Sequence, residues 1–496
     1  MESDVFKREL CMRENLLRQF FNSKYHKLRV IFFYFKRFLY ITVFADFKNK
    51  FREKLTINKV LKEQSGKKNA PRILYDFQTF SAQKAGGISR LFSELVNILY
   101  KDKDLNPELA LRYSENYYLK NSRIVTTNKI YSMAPPIRHM SELIPPAPFL
   151  ENSFAVNLVR RVLLKLLGLK YLGTPGVSLN SLKPSDYYAY YDVNVESAIR
   201  RMKKGNFDVF HPTYYDTYFL KYLNGKPFVL TVFDMIHEKF FGHVFKNDII
   251  SRQKKILVKK ASRIIAISEQ TKKDLMEILK VPESKITVIP LASSFKGNLK
   301  TVRKPNVKDI PKKYILFVGT RVAYKNFYFM IKSIARLLKK ERDLYVLCVG
   351  EKPASGPFTK KEKDLFEKLK ISKKVLYRRA DDEDLHYLYS KALMFIFPTL
   401  YEGFGIPILE AFSCGCPVVC SDINVLREVG KDAVVYFDPK DGVSMQSAVK
   451  KLLNDKKLRE ELTKKGKIIN SDYSWSKTVE MTKEVYFDII KKNETT

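Results

Sequence analysis

No stretch of roughly 18 uncharged apolar residues occurs in the chain, so it encodes no ordinary membrane-spanning helix. The nearest approach, Val30–Ala45 (VIFFYFKRFLYITVFA), is cut in the middle by Lys36 and Arg37. It also begins too far from the first residue to act as the apolar core of a signal peptide. Cysteine is scarce: Cys11, Cys348, Cys414, Cys416 and Cys420 are an odd set with three members close together, which does not form the disulfide framework of a small secreted domain. Cys414-x-Cys416-x3-Cys420 lacks paired C-x2-C knuckles and a nearby histidine, so buried thiols in a core segment explain it better than zinc. The six histidines are scattered, which disfavours a His-rich metal centre. Acidic residues are few as well, 53 against 90 Lys and Arg.

The resulting net charge of +37 predicts an anionic partner: a nucleotide or phosphate substrate, an acidic lipid surface or a nucleic acid. No helix-turn-helix, zinc-finger or RNP-type aromatic signature accompanies the charge, so no nucleic acid is expected. Residues 1–70 hold 17 Lys and Arg against 7 Asp and Glu, with aromatics interleaved. This appendage suits an interfacial segment on an anionic leaflet or a helix packed on the body of the protein. Asn157–Leu172 (NLVRRVLLKLLGLKYL) reads as an amphipathic core helix, with an interfacial helix as the rival.

With 496 residues and 45% hydrophobic content the chain is globular and long enough for several domains. From Arg72 it alternates in a regular way. The apolar run RILYDF leads through QTFSAQKAGGIS into the helical RLFSELVNILY, the opening of a doubly wound α/β domain. Residues 101–200 are harder to read and contain Pro135-Pro136 and Pro145-Pro146-Ala147-Pro148, which mark loops. Short strands resume at Asp208–His211, Pro227–Asp234, Arg263–Ser268 and Lys285–Pro290, with Ser268 as the cap of a helix over Thr271–Leu279. The polar, Pro-containing KGNLKTVRKPNVKDIPKK reads as a linker. A second series comes after it: strands at Tyr314–Gly319, Leu344–Gly350, Lys374–Tyr377, Ala392–Pro398 and Pro417–Ser421, and helices at Phe327–Lys339 and Leu385–Lys391. Continuous apolar strands between helices imply parallel sheets covered on both faces. The expected architecture is two Rossmann-like domains, residues 71–300 and 301–475, facing each other across a ligand cleft at the carboxyl ends of their strands.

The segment richest in chemistry is Pro398–Glu410, PTLYEGFGIPILE. Gly403 and Gly405 sit between a strand and a helix, where absent side chains let backbone amides approach a ligand. The helix starting near Pro407 aims its amino end at the same place, which suits an anion. Glu402 and Glu410 can reach one ligand from different sides, and a carboxylate accepts both hydroxyls of a vicinal diol. A glycine turn with two solvated glutamates is the bland alternative.

The pattern E-G-F-G-I-P-x-x-E resembles that of retaining nucleotide-sugar glycosyltransferases of the family-4 type, with the GT-B fold, in its bacterial surface-polysaccharide subgroup. FVGTRVAYKN (Phe317–Asn326) is similar to that family's phosphate loop. DFQTFSAQKAGGISRLFSEL resembles its amino-terminal Gly-Gly loop, and DVFHPTYY, VFDMIHE, AISEQTKK and PVVCSDINVLREVG fit in the family's order. The resemblance covers roughly residues 72–490. It implies that Glu410 binds the ribose hydroxyls, that Glu402 lies near the donor sugar, and that Gly403, Phe404, Gly405 and Ile406 form the turn meeting sugar and phosphates. Lys325 would hold the diphosphate with Arg321 as a second cation, beside Gly319. Gly86 and Gly87 would face phosphate and acceptor. Fixed cations at the leaving diphosphate stabilise developing negative charge.

The resemblance further implies a nucleotide-sugar donor, a glycan or lipid-linked acceptor, no cofactor and no metal. A carboxy-terminal helix over 476–496 would return to the first domain, and the protein would work in the cytoplasm, at the inner face of a membrane. Asp102-x-Asp104 lies in a polar loop, and Asp381–Asp384 serve the helix after them. Two positions depart from the family. Phe233 stands where many relatives carry the His of a His-Asp pair near the donor sugar, followed by Asp234; His237 is the nearby substitute. Tyr324 stands where an Arg often precedes the Lys. These departures motivate the alternative of a catalytically impaired nucleotide-sugar-binding member.

Overall fold

The strand expected at the start of the alternating region forms as β1, Arg72–Asp76, buried along all but its first residue. The computed structural model describes residues 70–120 (113 and 115 aside), 187–241, 248–295, 307, 309–350 and 356–494. The basic appendage, the amphipathic segment Asn157–Leu172, the two proline clusters and most of the expected linker lie outside the described residues.

In the first lobe β1 pairs in parallel with β2 (Asn106–Ala110) and β3 (Val209–His211). A second parallel set joins β4 (Val229–Val232), β5 (Arg263–Ala266) and β6 (Ile286–Val288). A bridge between Phe210 and Phe228 links the two sets, giving the order 2-1-3-4-5-6. Strand β2, NPELA, has no β-branched residue, and sequence reading passes over it. It sits at the sheet edge, where Pro107 costs no ladder bond on its open side.

The second lobe is one six-stranded sheet of order β12-β11-β10-β7-β8-β9. Its strands are β7 (Lys313–Val318), β8 (Leu344–Val349), β9 (Val375–Arg378), β10 (Met394–Phe397), β11 (Val418–Ser421) and β12 (Val434–Phe437). The order reverses between β7 and β10, which opens a crevice beyond their carboxyl ends. Loops after these two strands therefore carry the site.

The helices that frame the crevice and join the lobes are α1 (Gly87–Lys101), α2 (Ile249–Lys260), α3 (Glu269–Leu279), α4 (Phe327–Lys340), α5 (Lys360–Lys368), α6 (Asp382–Lys391), α7 (Ile406–Ser413) and α8 (Trp475–Glu494). Local chemistry starts several of them. Ser268 accepts the Thr271 amide at the head of α3, and Asp381 accepts the Asp384 amide at the head of α6. Helix α1 buries Leu91, Phe92, Leu95, Val96 and Leu99 along one face.

Helix α8 leaves the second lobe and packs on α1 and β3 of the first. The Tyr486 hydroxyl lies 2.7 Å from the Tyr75 hydroxyl and 2.6 Å from His211 Nδ1, all buried. Lys483 pairs with Asp102 at 2.7 Å, and Arg263 with Asp488 at 2.7 Å. Cys348, Cys414, Cys416 and Cys420 are all buried, and burial raises each thiol's pKa above its usual value.

Candidate active site

Two loops of the second lobe meet at an ion pair. Lys325 ends the short 3-10 turn Ala323–Lys325 after β7, and Glu402 lies in the loop after β10. The Lys325 ammonium donates to Glu402 Oε1 at 2.6 Å, with both side chains largely buried. The two loops are also tied through backbone, because the Leu400 amide donates to the Tyr324 carbonyl at 2.7 Å. Burial works against the charge on Lys325, but Glu402 outweighs it, with help from Tyr324 and Asp234, so its pKa rises above the ordinary lysine value.

The glycines between Glu402 and α7 have specific reasons to be glycine. A side chain on Gly403 would place its Cβ 1.7 Å from the Phe233 carbonyl oxygen, so the first lobe's backbone lies directly on this residue. Gly403 also accepts, through its carbonyl, the Ser268 hydroxyl at 2.7 Å and the Thr271 hydroxyl at 3.2 Å. Gly405 holds φ at +136°, a conformation that disfavours L side chains. Phe404 is buried against Tyr473. Ile406 begins α7, with Pro407 in the first turn as the dipeptide predicts. The hydroxyl of Tyr401 donates to Asp274 of α3 at 2.6 Å and accepts the Met235 amide at 3.1 Å.

Glu410, on α7, does not meet Lys325. Its Oε1 accepts from Arg90 of the first lobe at 3.3 Å, and its Oε2 from the Tyr389 hydroxyl at 3.3 Å. Burial drives its carboxyl pKa up; Arg90 and Tyr389 pull it down and Asp382 pushes it up, leaving it at about 7.

Between the lobes lies a cavity of about 260 Å³. The first lobe contributes Ile88, Tyr214, Phe233, Asp234 and His237, and the second contributes Thr320, Val322 and Tyr324. Asp234 turns back to accept the Ile236 amide at 2.9 Å, and its carbonyl accepts the buried Lys254 of α2 at 2.8 Å. His237 places Nδ1 2.8 Å from Asp248. Phe233 is buried in edge contact with Phe92 and Tyr215. Gly86 and Gly87 open α1 opposite α7, and a Cβ on Gly87 would lie 3.7 Å from Ile406. Gly319, directly after β7, has φ of +132°.

Arg321 is placed elsewhere than the family pattern suggests. Its Nε donates to Glu362 at 2.6 Å and its Nη2 to the Pro357 carbonyl at 2.8 Å, while the rings of Phe327, Phe358 and Tyr377 surround its guanidinium. Only 4% of its side chain is exposed. Thr320 and Val322 line the cavity, and Arg321 is not among its lining residues. Its partner Glu362 also completes a capping box with Thr359 at the head of α5. Sequence reading missed Arg90, the residue that reaches Glu410. Its position just after Gly86-Gly87 is the only local signal, and one arginine among 90 basic residues does not announce a contact 320 positions away.

Among the described residues no group of three or more His, Cys, Asp or Glu is arranged to hold a metal ion. Nor, among them, is any helix long and apolar enough to cross a membrane.

Comparison with known proteins fits this geometry. Residues 170–292 match the model of Glycosyltransferase Family 4, and residues 300–468 match Glycosyl transferases group 1. The O-antigen chain mannosyltransferase B of Escherichia coli is 29% identical over 239 residues, covering 46% of this chain and 60% of that protein. The O-antigen chain mannosyltransferase RfbU of Salmonella typhimurium is 28% identical over 199 residues, 40% of this chain and 53% of its own. The chain thus spans between half and two thirds of these two relatives. The solved sucrose-phosphate synthase from Thermosynechococcus elongatus superposes with a TM-score of 0.60 at 14% identity, over 86% of this chain and all of that one, and so shares the fold. Two Rossmann-like lobes in the GT-B arrangement, with both family models matched in order, give the chain the GT-B fold and relate it to Glycosyltransferase Family 4 and Glycosyl transferases group 1.

Proposed function

We propose that the protein is a retaining glycosyltransferase that moves a sugar from a nucleotide-sugar donor to a glycan or lipid-linked glycan. The observation that carries this reading is the Lys325–Glu402 pair, held by the loops after β7 and β10 next to the interlobe cavity. Lys325 would take the donor diphosphate, exchanging part of its contact with Glu402 for phosphate oxygens. The bond from the anomeric carbon to the phosphate oxygen breaks, the acceptor hydroxyl bonds to that carbon on the same face, and its proton passes to the departing phosphate. A fixed ammonium at the leaving oxygens lowers the barrier to that charge separation. Glu410 would bind the ribose hydroxyls, Glu402 the donor sugar side, and Gly403–Ile406 the phosphates through backbone amides. Asp234 and His237 would face the sugar or acceptor from the first lobe. The relatives named for O-antigen mannosyl transfer support a hexosyl donor and a surface-polysaccharide acceptor.

A turnover and thermal-shift screen across UDP- and GDP-hexoses tests the reading, since a bound donor stabilises the folded state by mass action. Silence from every donor in both assays would sink it. The buried Phe233 favours a second reading, a binding protein with little turnover. Under that reading donors bind without being consumed, and Phe233→His raises turnover. The basic appendage is proposed to hold the enzyme at the inner, anionic face of a membrane. Salt-sensitive cosedimentation with anionic vesicles should weaken when residues 1–70 are removed.

A further inference from the structure

We propose that Arg90 is a positioning residue for the nucleoside end of the donor: it reaches from the first lobe to Glu410 in the second, holds that carboxylate in place as its one facing cation, and so makes nucleotide binding depend on closed lobes. This rests on the proposed role of Glu410 toward ribose.

The geometry is specific. Arg90 lies in the first turn of α1, three residues past the helix-starting Gly87. Its side chain is 93% buried, with Nη1 on Glu410 and Nη2 on Asp382 and on the Tyr118 hydroxyl at 3.0 Å. The rings of Tyr118 and Phe295 lie within 4.8 and 5.7 Å of it. Arg90 thus joins one lobe to two helices of the other. Glu410, in turn, is under-used. Its two contacts, from Arg90 and Tyr389, are both 3.3 Å long. A carboxylate has about four acceptor sites, so both oxygens retain capacity for shorter bonds from a diol.

The charged and titratable groups facing Glu410 are Arg90 and Tyr118 from the first lobe, Asp382 and Tyr389 from α6, and Cys414 at the end of its own helix. Arg90 is the one cation among these. Burial alone would leave the carboxyl protonated near neutrality, and a protonated carboxyl no longer accepts two hydroxyls at full strength. Asp382 competes for the same guanidinium and repels the Glu410 charge.

The two neighbours therefore predict opposite shifts. Binding of UDP and of GDP is measured by calorimetry from about pH 6 to about pH 9, each variant being read against the wild type so that the nucleotide's own titration cancels. Arg90→Gln should move the rise in affinity to higher pH by about one to three units, weakening binding by about threefold to a few hundredfold near pH 7.5 and by less toward pH 9. Arg90→Lys should restore most of the loss. Asp382→Asn, at a partly exposed position that leaves Arg90 to Glu410, should move the rise to lower pH. Melting temperatures accompany each variant, and the Asp382→Asn arm keeps the test decisive if Arg90→Gln does not fold. If Arg90→Gln weakens binding equally at every pH, or Asp382→Asn does not shift the profile downward, the inference fails while the proposed function stands. If the wild type binds neither nucleotide, both fall.

Discussion

The Lys325 ammonium rests 2.6 Å from a carboxylate oxygen of Glu402, 77 positions later, across the mouth of the crevice that strand order creates. A pair so largely withdrawn from water is strong in place, yet either partner becomes costly if left alone. Lys325→Ala should therefore lower turnover by about 10²–10³ if the ammonium meets the leaving diphosphate. The check is single-turnover kinetics beside a melting curve. Unchanged transfer would remove Lys325 from the reaction.

Arg321 offers the contrasting case. Buried against Glu362 and three aromatic rings, it is expected to stabilise the loop after β7. Arg321→Lys loses the guanidinium fork and its stacking, which should cost about 1–3 kcal/mol in denaturant unfolding. Donor KM should stay near the wild-type value. A large rise in KM with stability intact would return Arg321 to the phosphate site.

Gly403→Ala sets a methyl group against the Phe233 carbonyl, with backbone on both sides of the contact. Neither segment can rotate away as a side chain would. Lobe apposition should loosen, and overpacking should cost about 1–3 kcal/mol or more. Small-angle scattering would show a larger radius of gyration in the variant, and donor affinity should fall with it. An unchanged radius together with an unchanged melting temperature would contradict this.

His211 predicts an acid-sensitive fold. It is fully buried between Tyr486 and Thr231, and burial pushes its pKa down to about 3. The unfolded chain takes up a proton near the ordinary imidazole value, and the folded protein does not. Its contribution is thus complete above about pH 6.5 and is lost as pH falls toward 3, amounting to about 2 kcal/mol by pH 5. Urea unfolding of wild type and His211→Asn at the two ends of that range should give a shallower pH slope in the variant. Equal slopes would show that His211 is not the group responsible.

The alternating architecture was legible because its strands are continuous apolar runs. LYVLCV and MFIF can only be covered on both faces, and the sequence marks each with a turn or helix after it. The caps at Ser268 and Asp381 were legible too, since a cap is a bond between neighbours in the chain. Strand β2 was not, because NPELA owes its place to an edge position and not to its own propensity. The surroundings of Arg321 were not legible for a related reason. Its neighbours Thr320 and Val322 line the cavity, and which way the intervening side chain turns is decided by the aromatic nest and Glu362 on elements further along the chain.

By itself the sequence determined two doubly wound lobes, a glycine bend between a strand and a helix, and acidic and basic residues near that bend. Those properties arise from periodicity and from backbone conformations only glycine adopts with ease. The tertiary structure alone decided the partners: Glu402 with Lys325, Glu410 with Arg90, Arg321 with Glu362, and Gly403 beneath Phe233. Side-chain charge is written locally, but where a charge is satisfied depends on which buried neighbour can offset its lost hydration, and that neighbour is chosen by packing between segments far apart in the chain.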